Sequence, residues 1–191
     1  MTPPIFTRTG DKGETGTAGG GRLPKDDTLI HAGGGLDELS AQLSLLVVLA
    51  EQAGFPETVK QITDLLQLLF KAGSDLSLQT GTPSITRLEI TCLEGDIDRM
   101  TAELPELTGF IIPGGNVLLA QTAICRTVTR RVERDTVRAV RDHDLPVITV
   151  TLLNRLGDYL FTLERFLGHR LNLPVRTYAN LNPAKESDCD E

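Results

Sequence analysis

The chain has 191 residues, 40% hydrophobic and 24% charged, with a formal net charge of −7, as expected for a globular protein with room for one buried core. The acidic balance and the absence of tryptophan exclude general nucleic-acid binding, which needs a basic face and stacking platforms. No apolar stretch approaches the roughly 18 to 20 residues that span a bilayer, and three cysteines without paired spacing point to a reducing, cytoplasmic setting.

Met1-Thr2-Pro3-Pro4 lacks the basic-then-apolar layout of a signal peptide. Residues 1–29 then carry glycines at 10, 13, 16, 19, 20 and 21 with scattered charge, the pattern of an ordered loop. Within them, Thr7-Arg8-Thr9-Gly10-Asp11-Lys12-Gly13-Glu14-Thr15-Gly16 combines glycines, which let backbone N–H groups turn toward an anion, with hydroxyl and cationic donors. This is not a Walker A loop, because no G-x-x-x-x-G-K-[ST] string occurs and no strand precedes it.

From about Ile30 the period becomes helical. Leu36, Leu39, Leu43, Leu46 and Ala50 keep a three-four spacing, although Gly33-Gly34-Gly35 weakens the start. Pro56 opens a second helix with Val59, Ile62, Leu65, Leu66, Leu69, Gly73 and Leu76 on one stripe. The turn at 79–83 precedes a third helix, marked by Ile90, Leu93, Ile97, Met100 and Leu104. Phe110-Ile111-Ile112-Pro113-Gly114-Gly115 forms a short extended run and turn before a long fourth helix reaching Arg141. A turn at 142–146 leads into a fifth, carrying Leu152, Leu153, Leu156, Tyr159, Leu160, Leu163, Phe166 and Leu167. Five helices of about 18 to 27 residues, with short joins and no strand alternation, predict an all-α antiparallel bundle. One domain is expected over 1–181, and a disordered acidic tail over 182–191.

The fourth helix holds the main chemical clue. Between Arg126 and Arg141 there are six arginines and two acids, a local charge near +4 in an acidic protein. Arg126, Arg130 and Arg134 recur every four residues with Glu133 beside them, and Ile124, Val128 and Val132 are expected on the opposite, core-facing side. Such a run is commonly a solvated face with surface ion pairs. Three arginines in register also suit a polyphosphate, because guanidinium offers a planar fork of donors and stays charged when desolvated. Phe110 fits either the core or a ligand contact, and Asn154 either a bridge between helices or a ligand. His31, His143 and His169 lack metal-ligand spacing. No serine or cysteine has a recognisable base beside it, so any nucleophile must come from outside the protein.

Four blocks resemble the PduO-type corrinoid adenosyltransferases: T-R-T-G-D-K-G-E-T at 7–15 with G-R-L-P-K-D-D at 21–27, G-x-x-D-E-L-S at 34–40, F-I-I-P-G-G at 110–115 running into C-R-T-V-T-R-R-V-E-R at 125–134, and L-N-R-L-G-D-Y-L-F at 153–161. The resemblance implies a homotrimer of five-helix bundles with active sites between subunits, and residues 1–29 as an ATP-binding segment. The activity implied is transfer of the 5′-deoxyadenosyl group of ATP to the Co(I) of cobalamin, with Mg2+ and release of triphosphate. A non-catalytic carrier or sensor of the same fold is the alternative. By the same resemblance, Thr7, Arg8, Thr9, Gly10, Thr15, Gly16, Lys25, Arg130, Arg131, Glu133, Arg134 and Asn154 hold ATP. Asp37 pairs across the interface with Arg126, and Phe110 lies under the corrin ring in place of the lower axial ligand. The implied protein partners are a flavin reductase and an adenosylcobalamin-dependent acceptor enzyme; the metal ligands stay unassigned. The chain departs from the family pattern at Gly33 and Ala123, where Tyr and His are frequent, at Gly157 for Ser, and at Glu164-Arg165 for Ala-Arg.

Overall fold

A computed structural model describes residues 5–79, 81–107 and 109–178. It contains a small antiparallel sheet, β1 (Glu14–Gly16) and β2 (Arg22–Pro24), followed by five helices: α1 (Thr28–Gln52), α2 (Pro56–Leu78), α3 (Arg87–Ala102), α4 (Val117–Asp142) and α5 (Ile148–Arg170). The expected five-helix bundle is present. The tail expected to be disordered lies outside the described residues. No helix among those described is long and apolar enough to cross a membrane.

Helix ends follow local chemistry. Asp27 caps α1 by accepting the Leu29 N–H at 2.8 Å, and Asn116 caps α4 by accepting that of Leu119 at 2.9 Å, each satisfying a donor the helix cannot. Pro56 sits in the first turn of α2, where its missing N–H costs nothing. Thr86 and Glu89 close a capping box on α3, and α3, at 16 residues, is shorter than the spacing predicted. The glycine run does not break α1. A Cβ on Gly35 would lie 3.0 Å from Val132 Cγ2, so the missing side chain lets α1 and α4 approach closely there.

The leucine stripes of α1 and α5 form the core as expected: Leu36, Leu39, Leu43, Leu46, Leu153, Leu156 and Leu160 are almost fully buried. The fourth helix differs from expectation. Ile124 is exposed and Val128 only partly buried, whereas Cys125, Thr129, Val132 and Thr136 face the core. Thr122 and Thr129 donate to the carbonyls of Leu118 and Cys125, four residues back. A small hydroxyl that bonds its own helix can be buried cheaply, and hydrophobic periodicity does not register it.

Consecutive helices alternate in direction, but α3 and α5 are neighbours and run parallel. Arg155 Nε meets Glu94 Oε1 at 2.8 Å and Arg170 Nη2 meets Glu103 Oε2 at 2.9 Å, so both helices advance together. Five alternating helices arranged in a ring must leave one parallel pair. A further unexpected feature follows α5. Ile112 N donates to Arg176 O at 2.7 Å, Tyr178 N donates to Phe110 O at 3.4 Å, and Ile111 bridges antiparallel to Thr177. Residues 176–178, which follow α5, thus strap the segment that leads into α4.

Candidate active site

The N-terminal donors are displayed by the hairpin. The sequence predicted an ordered loop without strands; the structure pairs Glu14 with Pro24 and Gly16 with Arg22. Arg22 supports the loop from within, donating Nη2 to Thr9 O at 2.8 Å and Nε to Glu14 Oε2 at 3.2 Å. Thr7 and Thr9 share a hydroxyl hydrogen bond of 2.9 Å, and Arg8 takes φ +59 with its guanidinium 5.6 Å from the Phe6 ring centre. A Cβ on Gly10 would come within 3.2 Å of Lys25 Nζ, so the missing side chain lets that ammonium lie against the loop. The hairpin docks on the end of α2, where the Gly19 and Ala18 amides meet Ser77 O and Oγ at 3.2 and 3.0 Å. Below it runs a groove of about 780 Å³ between α1 and α2, lined among others by Thr15, Gly16, Gly33, Asp37 and Phe70.

A second row of functional groups lies between α4 and α5. The Arg126 guanidinium stacks 5.3 Å from the Phe161 ring centre, a cation–π contact. Arg130 passes Gly157, where an added Cβ would meet Arg130 Cγ at 3.8 Å. Asn154 Nδ2 donates to Glu133 Oε1 at 3.0 Å, and Arg155 Nη1 donates to Asn154 Oδ1 at 2.6 Å. Three of the expected ATP residues, Arg130, Glu133 and Asn154, therefore meet where α4 packs on α5, and Arg130 and Arg134 are exposed. Arg131 differs. It is paired with Glu38 of α1 and, at 3.9 Å, with Asp135.

The third part is the turn before α4. The Phe110 side chain is 92% exposed, and Val117 and Ile124 are exposed beside the turn. Pro113, Gly114, Ala120, Ala123, Ile124 and Thr127 line a shallow hollow of about 270 Å³. Gly114 and Gly115 take φ +99 and +119, a left-handed conformation that suits glycine. Glu164 Oε1 accepts the Gly114 N–H at 3.1 Å. Burial pushes the Glu164 carboxyl above its ordinary range, opposed by that N–H and by the Arg126 charge.

The chain does not unite these parts. Asp37 lines the groove between α1 and α2, whereas Arg126 faces Phe161 on α5, and no ion pair joins them among the described residues. The hairpin sits at the α1–α2 edge and the arginine row at the α4–α5 edge. Phe161, Arg155 and Glu38 were not singled out from the sequence, and Glu164 was noted there only as a departure from the family pattern, without a role.

A family model described as cobalamin adenosyltransferase matches residues 5–167. The chain belongs to this family. A corrinoid adenosyltransferase of Bacillus subtilis is 37% identical over 169 residues, covering 87% of each chain. The human corrinoid adenosyltransferase MMAB is 36% identical over 196 residues, covering 97% of this chain and 77% of the human one. Among solved structures, a phenylalanine-to-histidine variant of the PduO-type ATP:corrinoid adenosyltransferase of Lactobacillus reuteri, complexed with cobalamin and ATP, superposes with a TM-score of 0.86. It is 30% identical and covers 93% of this chain and 97% of that one. An arginine-to-lysine variant of the same enzyme, complexed with ATP, gives 0.85. The adenosyltransferase fold thus carries both edges described above, and the family match includes the hairpin, the arginine row and the Phe110 turn.

Proposed function

We propose that this chain transfers the 5′-deoxyadenosyl group of ATP to the cobalt of a reduced corrinoid, at a site made from two neighbouring copies. The observation that carries this reading is the exposed arginine row of α4 beside Asn154, next to an exposed aromatic on an apolar turn. Co(I) attacks C5′ of the ribose, the cobalt–carbon bond forms, and the C5′–O5′ bond breaks with its electron pair leaving on triphosphate. The cobalt supplies both electrons, so no protein nucleophile or base is required. The protein's work is alignment of the two substrates and stabilisation of a highly anionic leaving group. Arg130 and Arg134, with Thr7, Arg8, Thr9, Thr15 and Lys25 of the hairpin, are the groups for that anion, and Gly10 and Gly16 bring backbone amides close. Glu133 and Asn154, hydrogen-bonded to each other, complete the set of groups proposed for ATP.

Asp37 and the hairpin occupy one edge of the bundle and Arg126 with its row the other, which fits a cyclic homotrimer in which each edge meets the next copy's opposite edge. Phe110 offers the lower corrin face a wall without a donor atom. Magnesium would arrive with the triphosphate, since it is commonly held by substrate phosphates together with one or two carboxylates; among the described residues no cluster of three or more His, Cys, Asp or Glu is placed to hold a metal. A flavin-class reductase to generate Co(I), and an enzyme that accepts the adenosylated product, are the implied partners.

Mixing the protein with ATP and chemically reduced cobalamin, and following the corrinoid spectrum together with triphosphate release, tests the reading. One triphosphate per corrinoid alkylated is the expected result. Binding of both ligands without conversion would instead make the chain a carrier, and absence of binding a scaffold.

A further inference from the structure

The turn that carries Phe110 is held from two directions. On one side the C-terminal strap pairs with residues 110–112. On the other, the Gly114 amide reaches across to α5 and finds Glu164. The flank of α4 against the turn contributes little polar hold: Ala120, Ala123 and Ile124 are apolar, and the Thr127 hydroxyl is committed to Ile124 O at 2.9 Å. Two consecutive glycines at positive φ leave such a turn many alternative conformations once it is released.

We infer that Glu164 is a positioning residue for the corrinoid side of the site, fixing the 110–115 turn, and with it the Phe110 ring, by accepting the Gly114 N–H. The inference rests on the reading of the site given above. Its helical position supports it. Phe161 lies one turn earlier on α5 and stacks under Arg126, so a single turn of that helix orients both the arginine and the Phe110 turn. Glu164 is also a poor choice for stability alone. A carboxyl with a raised pKa stabilises the fold below its ordinary range and loses that contribution as pH rises through the folded value. Burial thus makes ionising this carboxyl costlier in the fold than in the open chain, and the Gly114 N–H and Arg126 oppose that only in part. Arg176 from the strap, and Arg165 and His169 from its own helix, line with Glu164 and Gly114 a second, smaller hollow of about 80 Å³ on the other side of the turn from Ala123 and Ile124. Alanine is the best helix former, so removing the carboxylate leaves a residue that α5 accepts.

The test compares wild type, Glu164→Ala and Glu164→Gln in three measurements: the spectrum of Co(II) cobalamin titrated onto ATP-loaded protein, ATP affinity by calorimetry, and steady-state adenosylation. In Glu164→Ala the corrinoid KM should rise about tenfold, as for a lost charge-assisted bond. The bound Co(II) spectrum should shift toward that of free cobalamin, with ATP affinity unchanged. Glu164→Gln, which can still accept the amide proton, should recover most of both. Wild-type corrinoid KM and spectrum in the alanine variant would overturn the inference, as would a parallel loss of ATP affinity or a glutamine variant as impaired as alanine. Failure of the wild type to adenosylate would instead refute the functional reading, while the Co(II) spectrum would still report on the turn.

Discussion

Arg130 and Arg131 stand side by side in sequence but in different surroundings. Arg130 runs past Gly157 into solvent, while Arg131 is tied back to Glu38 and Asp135. A guanidinium already satisfied by two carboxylates has less to give a phosphate than one facing water. Arg130→Ala should therefore weaken ATP binding by about 1.5 to 3 kcal/mol, as for a lost hydrogen bond between charged groups. Arg131→Ala, which first breaks a half-exposed ion pair, should cost about 1 kcal/mol or less. Phe110→Ala should show the reverse selectivity. ATP affinity should stay at the wild-type value by calorimetry, while adenosylation slows sharply when Co(II) must be reduced on the protein and much less when Co(I) is supplied. An apolar ring offers cobalt no axial donor, and Co(I) is the state that prefers to lose one. Equal losses from the Co(II) and Co(I) starting points would make Phe110 an ordinary packing residue.

The third helix offers a pH-dependent element. Glu89 accepts from the Thr86 backbone N–H at 2.9 Å and from its hydroxyl, with Lys71 Nζ at 3.5 Å. The Thr86 hydroxyl bond contributes most to lowering the Glu89 carboxyl to about 2 from an ordinary 4.5. A depressed carboxylate pKa means stability present above the unfolded value and lost as pH falls through the folded one. Between pH 4.5 and 2 the wild type should thus lose more thermal stability than Glu89→Gln, and at neutral pH that variant should be less stable by about 1 kcal/mol. Parallel melting curves for the two proteins across that window would refute it. The leucine stripes of α1 and α5 were read from the sequence because large apolar residues act at fixed spacing; the Thr86-x-x-Glu89 box, which has a fixed spacing too, was missed. The core face of α4 was not read either, since between 122 and 136 its buried line is threonine and cysteine apart from Val132. Nor was the pairing of Ile111 with Thr177, which depends on contacts far apart in sequence, or the hairpin, whose strands of three residues are too short to show alternation.

The blocks quoted from the sequence divide between two opposite edges of the bundle, and that division is what the ring of helices produces. Helix α1 packs between α2 and α4, and α4 between α1 and α5, so the hairpin docked on α2 and the arginine row against α5 lie on different helix pairs. Asp37 and Arg126 follow the same division, although the resemblance pairs them. A cyclic assembly reconciles the two, because it brings the α1–α2 edge of one copy to the α4–α5 edge of the next. Complementation distinguishes this from a pair formed within one chain. Asp37→Asn and Arg126→Ala should each lose most adenosylation activity alone. When the two variants are unfolded, mixed and refolded, an unmodified Asp37 from one copy can meet an unmodified Arg126 from its neighbour. Random mixing in equal amounts restores about a quarter of the interfaces, since each partner is intact with a chance of one half. Activity should therefore return to about a quarter of the wild-type level, and sedimentation should show trimers throughout. Arg126→Ala also removes the stack on Phe161, but a defect within one subunit cannot be repaired by a neighbour. A mixture no more active than the average of its two components would place the function of both residues inside single chains and rule out the shared site.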